Sequence, residues 1–244
     1  YVALLTVLLE RGAQATRCGG GGALSPLLAA AQAASPLALD LLIARAGDDA
    51  AAAVSLHDPH SGVTALALAA AGGRDATVRT LLGANALPSA ADHEGLAPLH
   101  RAAAGGHQGC AALLLEAKAE VGARAATGET PLFFACMNGH ADVARLLSPF
   151  TCTVREHVNA TAPTKDGRRL TALAAASSRG HADVVTLLLA AGADVNWARA
   201  HDGATPLYFA CNKGHTDVVT LLLAANADVD PVINTGPTPM IAAC

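Results

Sequence analysis

The sequence predicts an all-α solenoid of stacked helix-turn-helix units joined by β-hairpin-like loops, and three observations carry that expectation. The first is self-similarity. A leucine-like residue followed three positions later by alanine recurs as Leu27 to Ala30, Leu66 to Ala69, Leu99 to Ala102, Leu132 to Ala135, Leu173 to Ala176, Leu207 to Ala210 and Met240 to Ala243, at spacings of 39, 33, 33, 41, 34 and 33. The second is composition: the 244 residues are 52% apolar but only 3% aromatic. The interior is therefore built from Ala, Leu and Val, and alanine is the best helix former. The third is punctuation, with proline before and glycine after many of these short apolar runs, as at the start and end of helices.

Internal repetition at this period makes the chain one array of small units, each contacting its neighbours, rather than one or two domains around a deep core. The array spans 1–244: a partial unit at 1–16, units at about 17–50, 51–90, 91–123, 124–163 with a loop insertion, 164–198 and 199–232, and a partial unit at 233–244.

Each unit reads as turn, helix, tight turn, helix, loop. Thr130, Thr171, Thr205 and Thr238 are placed as N-caps, whose hydroxyls accept from an early backbone N–H. Pro131, Pro206 and Pro239 then occupy the first helical position, where a missing N–H costs nothing. The first helix ends at Gly73, Gly106, Gly139, Gly180 or Gly214, residues free to take the left-handed conformation that closes a helix. The second helix follows, as in 183–189 and 217–223, with apolar residues at helical spacing and Asp183 or Asp217 in the first turn, where the helix dipole favours an acid. Gly192 and Asn226 close it, since asparagine also tolerates the left-handed cap.

The units at 128–143 and 203–218, which open Gly-x-Thr-Pro-Leu and continue through Phe-Ala-Cys to Gly-His-x-Asp-Val, carry a further resemblance. A period near 33 opening with Thr-Pro-Leu resembles the ankyrin repeat, over nearly all of the chain. What the resemblance implies is a non-enzymatic scaffold that holds a partner protein or peptide on a concave surface of helices and hairpin tips. Fold alone does not fix the partner.

Formal net charge is −4 and the isoelectric point near 6.2. Nucleic-acid modules usually carry a basic face and a high isoelectric point, so a nucleic-acid partner is not expected. The longest apolar stretches, such as 184–193, are too short to span a bilayer, and no membrane insertion is expected. The six cysteines, Cys18, Cys110, Cys136, Cys152, Cys211 and Cys244, lack the spacing of a disulfide framework. Cys136, Cys211 and Cys244 share one slot of the repeat with Ala31, Ala70, Ala103 and Ser177, a slot that demands a small side chain. Reduced thiols point to the cytoplasm or nucleus.

No catalytic residue, cofactor or metal is expected. His107, His140, His181 and His215 each follow the inter-helix glycine of a different unit, which separates them, and no Cys-x-x-Cys pair exists to start a tetrahedral site. The run Gly19 to Gly22 lacks the Lys-Ser/Thr of a phosphate loop and reads as a hairpin tip. Asn159 to Thr161 matches a glycosylation acceptor, without a secretory signal to use it.

Three irregularities break the period: Arg17 to Gly22, about six extra residues in Gly47 to His60, and Ser148 to Arg169. Insertions in repeat arrays are expected to fall in loops, where binding specificity accumulates or where they are inert. The last one holds Arg155, Lys165, Arg168 and Arg169, a basic cluster suited to an acidic partner segment or simply to solvent. Phe133-Phe134 and Tyr208-Phe209, at one pair of repeat slots, concentrate the aromatics, one of each pair expected in the core and one open to a partner or to inter-repeat packing.

Carried over from the resemblance, the expected partner-binding positions are His93, Glu94 and Leu96; Thr127 and Glu129; Met137 and Asn138; Ser178 and Arg179; His201 and Asp202; and Asn212 and Lys213, to which the aromatics Phe133 and Tyr208 and the basic Arg168 and Arg169 are added as candidates. The partner is a protein or peptide, and the chain is a monomer or part of a longer one. An open alternative is a targeting or regulatory segment of a larger enzyme or channel. Both ends fall inside a repeat, so adding the flanking sequence is expected to raise the melting temperature.

Overall fold

The computed structural model describes residues 25–33, 35–148, 158–163 and 169–231, together with Arg11 and Pro239. The expected partial units at the two ends, apart from Arg11 and Pro239, the glycine run at 19–22 and the N-cap Thr238 lie outside the described residues. The chain divides into two compact units, Tyr1–Ala126 and Thr127–Cys244. Each is a row of helix pairs.

In the first unit the pairs are α1 (Pro26–Gln32) with α2 (Pro36–Ala46), α4 (Ala65–Ala71) with α5 (Asp75–Gly83), and α6 (Pro98–Gly105) with α7 (Gln108–Glu116). A single 3₁₀ turn, Gly47–Asp49, and a short helix α3 (Ala50–Val54) lie between the first two pairs. First helices pack on first helices, α1 on α4 and α4 on α6, and second on second, α2 on α5 and α5 on α7. In the second unit the pairs are α8 (Pro131–Met137) with α9 (Ala141–Leu147), α10 (Ala172–Arg179) with α11 (Ala182–Ala190), and α12 (Pro206–Asn212) with α13 (Thr216–Ala224). The same rule holds, with α8 on α10 on α12 and α9 on α11 on α13. A two-stranded antiparallel hairpin, β1 (Thr161–Pro163) and β2 (Arg169–Thr171), precedes α10 and pairs Thr161 with Thr171.

The packing seam is built from the recurring leucines and alanines. Leu27, Leu66 and Leu99 in the first unit and Leu173 in the second are fully buried or nearly so, as are Leu81, Leu114, Leu188 and Leu222 of the second helices. Each buried leucine is worth about 2 kcal/mol of transfer free energy. Helices of seven to nine residues are marginal alone, so these contacts between neighbours hold the fold.

Hydroxyl caps start the first helices. Ser25, Thr64, Thr130, Thr171 and Thr205 each accept the N–H three residues on, at 3.2–3.3 Å. At α6 the cap is Ala97, which has no hydroxyl, and His100 compensates. Its Nδ1 accepts the Ala97 N–H at 3.1 Å and its Nε2 lies 3.1 Å from the Ala123 carbonyl. Because Nδ1 is an acceptor here, the proton sits on Nε2 and is donated to Ala123, which locks the 1%-exposed ring between two backbone segments. The departure at Ser35-Pro36, where other units have glycine, also has a cause: Ser35 caps α2 and Pro36 occupies its first position.

Successive pairs are stitched at the residue that follows the inter-helix glycine. The His107 Nε2 lies 3.0 Å from the Ala71 carbonyl, and the His215 Nε2 3.3 Å from the Ser178 carbonyl. His181 bonds the backbone of Met137, and Arg74, standing where other units have histidine, donates from Nη1 to the Ala31 carbonyl at 2.6 Å. All four backbone partners lie in the last turn of the preceding first helix, whose carbonyls have no intrahelical donor. Glycine makes room for the ring. Gly73, Gly139 and Gly180 have φ of +67°, +79° and +76°, and a Cβ on them would lie 2.5, 2.7 and 2.7 Å from the rings of His107, His181 and His215.

One sequence expectation is corrected by this fold. The insertion at Gly47 to His60 does not form a simple loop, because most of it is the 3₁₀ turn and α3, which buries Ala53 and Val54. An alanine run becomes helical once it has an apolar surface to cover.

Replacing Gly180 with alanine is expected to cost about 1–3 kcal/mol, from the left-handed backbone and from the clash with His215. Urea titrations of Gly180→Ala, His215→Ala and the double variant check this: the double variant is expected to be more stable than the sum of the singles, since removing the ring removes the clash. A second expectation concerns acid. Burial pushes His181 below the ordinary histidine value of 6.5, opposed by its bond to Met137 and reinforced by Arg179, His140 and His215. The folded chain therefore binds fewer protons here than the unfolded chain, and stability is lost as the pH falls below about 6.5. The melting temperature is expected to drop between about pH 7.5 and about pH 5.5, and His181→Asn, which cannot titrate, is expected to flatten that slope.

Candidate protein-binding surface

In the second unit, the ends of the first helices place Met137-Asn138, Ser178-Arg179 and Asn212-Lys213 at equivalent positions of three neighbouring pairs. Met137, Asn138 and Ser178 are half-buried, while Arg179, Asn212 and Lys213 are exposed. The Arg179 Nη1 donates to Asn138 Oδ1 at 3.2 Å, from one pair to the next. These side chains thus form a strip of mixed polarity along three neighbouring helix ends, beside the histidine stitches.

Aromatic placement splits the first pair, while neither member of the second is buried, contrary to expectation. Phe133 is only 4% exposed, so its ring belongs to the interior and is withdrawn from the expected contact face; Phe134 is the half-buried member. The two rings meet edge-on with centroids 6.4 Å apart. The reason is the helical phase: Phe133 sits one position after the fully turned-in Leu132, towards Cys136, while Phe134 turns outwards. Tyr208 and Phe209 are both half-buried and edge-on at 5.8 Å.

Several expected contact residues are already engaged. Asp202 forms a bidentate pair with Arg199, with Nε to Oδ1 at 2.8 Å and Nη2 to Oδ2, the two side chains being 14% and 10% exposed. Arg199 lies over the Phe209 ring, 5.0 Å from its centroid. The guanidinium hydrogen bond holds the Asp202 pKa down to about 2, so its charge is fixed and spent inside the loop rather than offered to a partner. Thr127 Oγ1 meets the Glu129 carboxylate, which orders that tip.

In the first unit, Asp92 plays the ordering role. Its Oδ1 accepts the N–H groups of Glu94 and Leu96, both at 2.9 Å, and its Oδ2 pairs with Arg101. His93 and Glu94 are exposed beyond it and Leu96 is half-buried. The His93 Nδ1 lies 3.1 Å from the His60 carbonyl, and the Glu94 carbonyl accepts from Ala126 N–H at 2.8 Å.

Of the basic cluster, Arg155, Lys165 and Arg168 lie outside the described residues. Arg169 is exposed on β2, and its Nε donates to Thr161 Oγ1 at 2.8 Å while Nη2 donates to the Thr161 carbonyl. His201 is exposed. Between the hairpin and the 197–201 loop lies a cleft of about 370 Å³, lined by Thr161, Arg169, Trp197, Ala198, Arg199, Ala200 and His201. The sequence reading left out Trp197 and Arg199. The signal that would have found Trp197 is its rarity: one tryptophan, set in a loop, in a chain with 3% aromatic residues.

The thiols are quiet. Burial, with the neighbouring Asp75, pushes Cys110 up to about 12, and burial also raises Cys136 and Cys211. They stay protonated at neutral pH and serve as small apolar side chains. Among the described residues no three His, Cys, Asp or Glu side chains converge as a metal site, and no helix is long and apolar enough to cross a membrane.

A comparison of the sequence with curated proteins returned no match. Among solved structures, the chain is similar to the crystal structure of the human ASB11 ankyrin repeat domain, with a TM-score of 0.76 and 26% identity over 91% of this chain and 92% of that one. The family model for ankyrin repeats in three copies matches residues 27–125, 117–199 and 173–244. With repeats matched along nearly its whole length and helix pairs stacked as described, the chain belongs to the ankyrin-repeat family and its fold is the all-α ankyrin solenoid.

Proposed function

We propose that this chain is a non-enzymatic scaffold that holds a protein or peptide partner on the concave face formed by its first helices and hairpin tips. Ankyrin repeats are generally protein-interaction modules, and the chain belongs to that family. The observation that carries the finer reading is the strip Met137-Asn138, Ser178-Arg179 and Asn212-Lys213. It presents side chains of varied chemistry from three rigid helix ends, with Arg179 and Asn138 already joined. A surface ordered before binding loses little conformational entropy when a partner arrives. Tyr208, on the same first helix as Asn212, and the tip residue Glu129 are taken as further contacts of this scaffold, whereas Phe133 and Asp202 are left out because one is interior and the other is paired.

Affinity capture with the wild-type chain and with a quadruple variant, Met137→Ala, Asn138→Ala, Asn212→Ala and Lys213→Glu, tests the assignment. Partners held by the wild type are expected to be lost from the variant, at roughly tenfold or greater loss of affinity for a cluster that includes the binding centre. Equal capture by both baits overturns it.

A further inference from the structure

The cleft between the β1–β2 hairpin and the 197–201 loop has features that the strip does not explain. It lies within the second unit, and the chain's single tryptophan lines it. Its cationic lining side chains are Arg169 and Arg199, and no acid lines it among the described residues. Arg199 is neutralised by Asp202 and covered on one side by Phe209. Arg169 differs: its bonds run to the hydroxyl and carbonyl of Thr161, both uncharged, so its positive charge is fixed in position with no acid paired to it among the described residues.

A guanidinium has five N–H donors in a rigid fork, and Thr161 takes one from Nε and one from Nη2. The Nη1 donors make no hydrogen bond among the described residues and suit a carboxylate. The Trp197 indole N–H, which makes no hydrogen bond among the described residues, is a further donor in the same wall. Indole and alanine surface from Trp197, Ala198 and Ala200 make the rest of the lining apolar. A carboxylate beside an aliphatic side chain complements this combination, because the ion pair forms next to a surface that excludes water.

We infer that this cleft is the recognition subsite of the scaffold for an acidic segment of a partner protein, with Arg169 binding a carboxylate and Trp197 packing against the adjacent aliphatic side chain. This deepens the scaffold reading and rests on it. The occupant is a protein segment rather than a nucleic acid or a lipid headgroup, since one fixed cation with an apolar floor suits a single carboxylate better than a polyanion.

Because Trp197 is the chain's only tryptophan, its emission reports on this cleft alone. The experiment titrates the full 244-residue chain with a short blocked peptide of alternating glutamate and leucine, fluorescently labelled for anisotropy, and with its glutamine and lysine counterparts. The glutamate peptide is expected to shift Trp197 emission saturably and to weaken as salt rises. Arg169→Gln is expected to reduce its affinity roughly tenfold, which is the loss of one charge-assisted contact. Arg145→Gln, at an exposed position paired with Asp142, is expected to leave affinity unchanged. Unaltered melting of both variants shows that the fold persists.

Equal affinity for the glutamine peptide, no response of Trp197, or equal loss in Arg145→Gln would each overturn the subsite. These outcomes are separable from failure of the scaffold reading. Partners still captured by the wild type and lost on Asn212→Ala with Lys213→Glu would show that the strip binds while the cleft does not.

Discussion

Within each unit, the row of pairs depends on the end of a first helix finding a donor in the next pair. A helix of seven or eight residues leaves its last carbonyls without intrahelical partners, and these short helices have few turns over which to dilute that cost. The side chain after the inter-helix glycine supplies the donor, from His107 to Ala71, from His215 to Ser178 and from Arg74 to Ala31. The same contact explains the glycines. Gly73 and Gly180 adopt a left-handed backbone and lie under the incoming ring, so a side chain there is excluded twice over. Arg74 shows that the requirement is for a donor of sufficient reach, since its guanidinium reaches the equivalent carbonyl without an imidazole.

A second constraint shapes the hairpin tips. Each tip has to leave the helix layer and return, and its backbone N–H groups then need acceptors outside regular structure. Asp92 supplies one carboxylate oxygen to two such groups and gives the other to Arg101. In the later repeat the order of residues differs, and Asp202 serves Ala204 N–H and Arg199, with Arg199 resting on Phe209. Both acids order their own loops. Arg169 on Thr161 and Arg179 on Asn138 are held instead by uncharged groups, which fix the guanidinium without pairing it to an acid in those bonds. Rigid presentation and residual charge are the two properties a binding side chain needs.

The cysteines fit the same picture of close packing. Cys136 lies in the slot that other pairs fill with Ala31, Ala70, Ala103 and Ser177, where neighbouring first helices approach. Any larger group would push the pairs apart, and burial keeps the thiol protonated. The Ser177 hydroxyl has no hydrogen-bond partner among the described residues, which marks the slot as chosen for size rather than polarity.

Local chemistry was legible in the sequence. Thr130, Thr171 and Thr205 cap their helices, Gly139, Gly180 and Gly214 close them with positive φ, and Asn226 takes the left-handed conformation at +63°. Each of these depends on residues within one turn, so reading them needs no knowledge of what packs alongside. The repeat period likewise fixed the fold class, because a thin unit with one apolar side has to bury it on a copy of itself. What only the tertiary structure decided lies in contacts thirty or more residues apart, or in the phase of a side chain about its helix. Phe133 turned inwards and Phe134 outwards, Asp202 closed on Arg199, the alanines at 50–53 became part of a helix, and Trp197 and Arg169 came to line one cleft. Sequence patterns record which residues must be hidden or must bend the chain; which charges cancel and which remain open is settled only when neighbouring repeats bring their side chains together.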